Sequence, residues 1–383
     1  MADTLTGLIP DIYEAMDIVS REKVGLLQSV MVDAKGESVA KGQSVVADIA
    51  PTVAAGDITP AAVPSAATDL TEGTASVTMD FSRAAAFNFS GLSERTLNTS
   101  IGANNTKAGR IAQALRTLDN EMDAAIAALH TKASRAYGTA ATTPFASNLG
   151  EAAQIEKILS DNGAPAFGRS LVFNTTAGAN LRSLPAFNGV NTVGSDAVQR
   201  RGELLDVFGM SLKESANIAT STAGTAALAT TDNAGYSVGD TVITLASAGT
   251  GTIVAGDVIT FAGDTNKYVV VSGDTDTSDG GTITLAAPGL RVAMSAATKA
   301  ITMVAAAARN MAFTRDAIAF VTALPERPSD GDGADDVIAI TSPVSGITYE
   351  FAKYGGYRQN RYEIGINYGT AVIKPEHLCL LLG

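Results

Sequence analysis

Between Lys107 and Tyr137 the apolar residues Ile111, Leu115, Leu118, Met122, Ile126, Leu129 and Ala133 recur at alternating steps of three or four. No glycine follows Gly109 in that stretch, and it holds no proline. This period lays one apolar stripe along a helix, which at 1.5 Å per residue would run about 46 Å. Gly138 and Pro144 bring it to an end. A helix longer than a small domain is wide either joins a coiled coil or serves as a spine on which sheets are hung. The rest of the chain has to be arranged around it.

Composition limits what that arrangement can be. Of the 383 residues, 46% are hydrophobic but only 5% are aromatic, and there is no Trp. Packing must therefore rest on small side chains and close backbone approach, which suits extended sheets and tightly packed subunits better than a deep aromatic-lined pocket. The net charge of -12 repels nucleic-acid phosphates on average, so contact with DNA would be local and weak. A single cysteine, Cys379, excludes an intramolecular disulfide framework and a thiolate zinc cluster. The first residues lack a basic region ahead of an apolar run, and no stretch approaches 18 uninterrupted apolar residues. The expectation is a cytoplasmic chain that neither carries a signal peptide nor crosses a membrane.

Upstream of the spine, Leu8, Ile12, Ala15, Val19, Leu27 and Val30 fall near helical spacing, so an amphipathic helix is expected over residues 8 to 31, starting at Pro10 and Asp11. Residues 34 to 75, rich in Gly, Pro, Ala and Ser, have too little apolar surface for a core of their own. They read as a linker or an extended hairpin arm that needs a neighbour. The alternation of Val77, Met79, Phe81, Phe87 and Phe89 reads as strand. Downstream, "GEAAQIEKILSDNGAP" predicts a helix closed by Gly163 and Pro165, "RSLVFN" a strand, and "TTAGANLRSLPAF" a helix capped by Asn174 or Thr175. "ELLDVFGMSLKES" returns as strand.

From Thr220 to about Met303 the character changes to Gly-Asp and Gly-Thr turns with β-branched runs at 241–245, 258–261, 268–272, 282–286 and 300–304. Short strands at such spacing predict a small all-β barrel or sandwich set into a host that continues on both sides. Asp240 and Asp257 read as turn formers launching a first hairpin, with Gly249-Thr250-Gly251-Thr252 as its connection. That Gly-Thr-Gly-Thr lacks the Gly-Lys-Ser/Thr of a P-loop and leads into strand rather than helix, so it is no phosphate cradle.

Chemistry is sparse. His130 and His377 are the only histidines, and neither has a metal-ligating neighbour at three or four residues. The acidic runs from Asp274 and Asp330 lack the closing glutamate of a calcium loop. Glu121 and Asp123 read as a pair on the helix surface, with nothing to separate their pKa values for acid/base work. No catalytic, cofactor-binding or metal site is expected, and the chain is read as not an enzyme. Arg200, Arg201, Arg358 and Arg361 are candidates for ion pairs with acidic groups of neighbouring subunits.

The order of parts, together with "SLVFN", "RRGELLDVFGMSLKESANI" leading to "TSTAGT", "RNMAFTRDAIAF" and "YEIGINYGTAVIKPEH", resembles the major capsid proteins of tailed double-stranded DNA phages, the Hong Kong 97-like fold. Within that family it is similar to short-tailed-phage coat proteins with a β-barrel insertion. One departure is Thr314, where relatives often carry His after the Ala-Phe. The resemblance implies an α+β chain divided into an N-terminal arm (1–33), an extended loop with peripheral strands (34–91), a spine helix (92–138), an axial domain (139–219 and 304–345), an inserted barrel (220–303) and return strands (346–383). It also implies hexamers and pentamers closing an icosahedral virion shell around DNA. A scaffolding protein, a portal and a possible decoration protein would be partners, assembly would occur in the host cytoplasm, and no cofactor would be needed. An encapsulin-type nanocompartment shell shares the fold and stands as the alternative, beside a carbohydrate- or surface-binding β module on an α/β stem.

Overall fold

The computed structural model describes residues 5–19, 24–38, 40–49, 73–91, 103–185, 206–218, 220–329, 331–343 and 345–383. The architecture is α+β and mostly sheet. The N-terminal helix, Ile9–Val19, buries Ile12, Ala15, Met16 and Val19 and carries Pro10 in its first turn, where the missing N–H costs nothing. It ends well short of residue 31. Val24 bridges to Ser215, the Gly25 N–H donates to the Glu214 carbonyl (3.1 Å), and Met31–Ser38 is strand β1. The expected helix over 8–31 is thus helix only to Val19, and residues 25–29 are turns between the Val24 bridge and β1. A Cβ on Gly25 would collide with the Glu214 carbonyl, so the segment is fitted against backbone where a helix could not go.

Strands β2 (Ser44–Ile49) and β3 (Gly73–Thr78) form a two-stranded sheet that, among the described residues, pairs with no other strand. Its base is anchored, since Val77 and Met79 are buried with Ala319, Val321 and Ala323, while Val46 is exposed. Strand β4, Phe81–Ser90, follows.

The long helix spans Ala103–Ala127, about 37 Å. Its stripe is as expected: Ile111, Leu115, Leu118, Met122 and Ile126 are all buried, each contributing about 1.5–3 kcal/mol relative to exposure. It does not reach Tyr137. Residues Ala128–Lys132 tighten to a 3-10 turn, Ala133 is extended, and Arg135–Gly138 is strand β5. The Ser134 N–H and hydroxyl both donate to the Leu378 carbonyl (2.9 and 2.7 Å), and β5 is paired on both edges. Ladder bonds on two sides replace the helical ones, so tertiary pairing overrides helix propensity.

Helix Gly150–Asp161 and β6 (Arg169–Phe173) come next, then helix Thr175–Ser183, whose cap is Asn174 (its side chain accepts from the Ala177 N–H, 2.9 Å), and β7 (Met210–Glu214). β8 is Thr220–Ser221, and the β-rich stretch holds β9 (Val242–Leu245), β10 (Val258–Phe261), β11 (Lys267–Ser272), β12 (Gly281–Leu285) and β13 (Ile301–Met303). β14 (Ala307–Thr314), β15 (Ile318–Leu324), β16 (Asp336–Thr341), β17 (Thr348–Gly356), β18 (Gln359–Val372) and β19 (Leu378–Leu382) complete the chain.

One sheet runs β1-β15-β18-β17-β16, with β4 along the other edge of β18. It packs against the two helices through Phe89, Phe320, Tyr349, Tyr362 and Tyr368. A larger sheet runs β13-β10-β11-β5-β19-β14-β6-β7. Strands β9 to β13 have an apolar cluster of their own that includes Ile243, Leu245, Ile259, Phe261, Tyr268 and Ile283. Their order is β13-β10-β11-β12-β9, and bridges from Thr230 to Ala300 and from Thr231 to Leu245 draw the two outer strands together. This unit is not detached: Lys267 and Tyr268 of β11 pair with Ala136 and Arg135 of β5.

β9 and β10 are not a hairpin with each other. β9 pairs with β12, and β10 pairs with β11 and β13. The Gly-Thr-Gly-Thr between them is drawn away to residues 225–229, with Ala227 bridged to Thr250. Gly249 and Gly251 take left-handed φ values of 93° and 87°, and a Cβ on either would overlap that backbone.

Candidate functional site

The long helix carries Asp119 and Asp123 one turn apart, beside the stripe residues Leu118 and Met122, which sets both carboxylates toward the segment leaving the N-terminal helix. Asp123 is fully buried. Its Oδ1 accepts the Leu26 and Leu27 N–H groups (3.1 and 3.0 Å), and its Oδ2 accepts the Ser215 hydroxyl and the Asn217 amide (3.0 Å). One carboxylate therefore ties together the helix, residues 26–27 and the chain just beyond β7. Burial pushes its pKa above the ordinary carboxylate value, against the pull of those four hydrogen bonds.

Asp119 accepts the Tyr349 hydroxyl at 2.6 Å. Its pKa is pushed up to about 6, first by burial and further by the neighbouring charge of Asp123, with the Tyr349 bond opposing both. The tyrosine responds in kind: burial and the Asp119 charge push its phenol well above its usual range. Beside this pair lies a cleft of about 280 Å³ walled by Met16, Val19, Leu27, Asp119, Arg315 and Tyr349.

The expected surface pair of Glu121 and Asp123 is corrected by this geometry. Glu121 does lie outward, 3.2 Å from Arg83, but Asp123 lies inward because residues 24–30 and 215–217 cover it. Sequence reading missed Asp119 and placed Asp123 on the surface. The one signal was a pair of acidic residues four apart, each directly following a residue of the apolar stripe. Every direct partner of the two among the described residues donates a hydrogen bond, and together these bonds join separate segments of the chain. Among the described residues no group of His, Cys, Asp and Glu could hold a metal ion. Cys379 is buried in β19, and burial pushes its thiol up to about 12.

The other sequence candidates lie apart from this joint. Asp240 Oδ2 accepts the Ser237 N–H and Asp257 Oδ2 the Val254 N–H (2.7 Å each), so each aspartate closes onto the residue three before it. Each follows a left-handed glycine, Gly239 or Gly256. Asp257 is buried and also accepts the Gly224 N–H (2.9 Å). Arg358 sits at the β17–β18 turn over the ring of Tyr357, and Arg361 bonds Glu363 of its own chain at 2.7 Å. Arg200 and Arg201 lie outside the described residues. His130 Nδ1 is bonded to the Ala127 carbonyl (3.0 Å), and burial lowers its pKa. In the acidic runs, Asp274 and Asp276 cap their own turns, and Asp332 is held by Arg327 (2.7 Å). Asp330 lies outside the described residues.

Arg309 is a second surprise. It is 2% exposed in β14, none of its three side-chain nitrogens has a hydrogen-bond partner among the described residues, and burial lowers its pKa while the charge of Asp257 supports it. No helix among the described residues is long and apolar enough to cross a membrane.

No family model matches the chain, and no curated protein matches it by sequence. Among solved structures it is similar to one of Mycobacterium phage Che8, with 15% identity over 90% of this chain and 85% of that one and a TM-score of 0.46. It is similar to the mature capsid of bacteriophage PhiM1, with 12% identity over 93% and 86% and a TM-score of 0.46. A virus-like particle from Pyrococcus furiosus shows 10% identity over 97% and 98%, with a TM-score of 0.40. The identities are too low and the superpositions too loose to carry a function across.

Proposed function

We propose that this chain is the major capsid protein of a tailed double-stranded DNA phage, a structural subunit with a Hong Kong 97-like fold and an inserted β barrel. The observation that carries the reading is the β2–β3 arm. Two strands that among the described residues pair only with each other, with Val46 turned to solvent, are marginal in water on their own. Such an arm gains order when a neighbouring copy covers it, and a closed shell supplies a neighbour to every copy. The motif order of the sequence supports the same reading, and so does a buried carboxylate that joins separate segments of the chain. On this view the copies form hexamers and pentamers on a scaffolding protein in the host cytoplasm. The virion shell then encloses DNA through weak lumenal contacts only, with a portal at one vertex and room for a decoration protein.

Electron microscopy of the expressed chain, alone and with its scaffold, tests this directly. Closed shells are the expected product, and monomers or small oligomers under every condition overturn the proposal. A chain lacking residues 36–75, which keeps Val77 and Met79, is expected to fold by circular dichroism and to fail in assembly. Loss of the fold would place the arm in the core instead.

A further inference from the structure

A cleft of about 400 Å³ opens where the β9–β13 unit meets the host, between helix Gly150–Asp161, the end of β5 and the turn into β11. Its walls carry three cations, Arg135, Lys157 and Lys267, and one acid, Glu151, in a chain whose net charge is -12. The acid is engaged: Glu151 accepts the Phe145 N–H at 2.6 Å. Asp161, behind the wall, is shared between Arg135 (3.5 Å) and Lys157 (4.0 Å). Arg291 adds a further positive charge that repels Arg135. A concave wall with an excess of positive charge focuses the field and gathers anions.

We propose that this cleft binds a compact tetrahedral oxyanion of the phosphate class. Arg135 is 4% exposed and already committed, through Nη1 to Asn266 (3.2 Å) and through Nη2 to Asn162 and the Ile158 carbonyl (3.2 and 3.4 Å). Its Nε is buried without a hydrogen-bond partner among the described residues. It therefore lends charge rather than the open two-pronged fork that a carboxylate needs. The accessible donors are ammonium groups: Lys157, with its side chain 67% exposed, and Lys267, which spends one donor on the Gly138 carbonyl. Lysine serves an oxyanion as a point charge with three donors. Lys157 and Gln154 come from the helix and Lys267 from the opposite wall at the start of β11, while the Asn266 amide already donates to Asp264 Oδ1 (2.7 Å); oxygens pointing in several directions meet donors on both walls better than the two coplanar oxygens of a carboxylate. An anion held there would tie β11 to the host helix.

Calorimetric titration of the full chain with inorganic phosphate, at ionic strength fixed with sodium chloride, tests the site. The expected result is saturable binding that Lys157→Glu weakens at least ten-fold, with Lys41→Glu on the distant arm leaving it unchanged. Circular dichroism confirms that both variants fold. Acetate in place of phosphate is expected to give no binding. Absence of phosphate binding, equal affinity in Lys157→Glu, or acetate binding as tightly as phosphate each overturns the proposal.

Discussion

Replacing Asp123 by alanine removes the one acceptor that four donors share. The Leu26 and Leu27 N–H groups have no alternative nearby, because the backbone that carries them is fixed by the Gly25 to Glu214 bond and by burial of both side chains. The Asn217 amide keeps its second partner, Asn120 Oδ1 (3.1 Å), and the Ser215 hydroxyl is free to turn. Two orphaned buried donors at about 1–3 kcal/mol each give a loss of about 2–6 kcal/mol. Relief of the buried charge, whose desolvation is seen in the raised pKa, offsets part of it, so the net expected loss is about 3 kcal/mol. Asp123→Asn keeps one oxygen for the two backbone donors and presents an amide to Ser215 and Asn217, which can both reorient, so about half that loss is expected. Equilibrium denaturation of the unassembled subunit at neutral pH measures both, and hydrogen exchange at residues 24–30 localises the effect. If alanine costs less than about 1 kcal/mol, or asparagine costs as much as alanine, the shared acceptor is not what holds this joint.

The titration of Asp119 predicts a pH effect: its folded pKa of about 6 lies above the ordinary 3.8, so its stabilising contribution is full below about pH 4 and is lost as pH rises through 6. The stability difference between wild type and Asp119→Asn should fall by about 2 kcal/mol from pH 4 to pH 7, and a flat difference in denaturation curves would contradict the assignment. Gly178→Ala drives a methyl group into Glu214 and displaces its paired bonds to Arg182 (2.6 and 2.8 Å), so a loss of about 1–3 kcal/mol is expected in thermal melts. Arg309→Met exchanges an unpartnered buried guanidinium for an apolar chain of similar length, while Asp257 keeps its two backbone donors. Stability within about 1 kcal/mol of wild type, or above it, is expected by chemical denaturation, and a larger loss would reveal an unseen partner for the guanidinium.

What the chain's own pattern could disclose follows from the range of the forces involved. The β-branched runs of the 241–304 region became β9 to β13 nearly residue for residue, because Gly-Asp turns punctuate them and each aspartate bonds within three residues. Which strand pairs with which was not legible. The Gly-Thr-Gly-Thr stretch looks like a hairpin loop locally, and only its approach to residues 225–229 parts β9 from β10. The spine stripe was legible to Ile126 for the same local reason. Beyond it the three-and-four spacing continues through Leu129 and Ala133, yet the backbone there answers to Leu378–Leu382, paired from the far end of the chain. Asp119 and Asp123 show the same limit for chemistry. A helix period places a carboxylate beside a stripe, but whether it becomes a solvated charge or a buried joint depends on segments such as 24–30 and 215–217 folding over it. That is why the residues most open to test in this chain are charged ones that its sequence presents as surface.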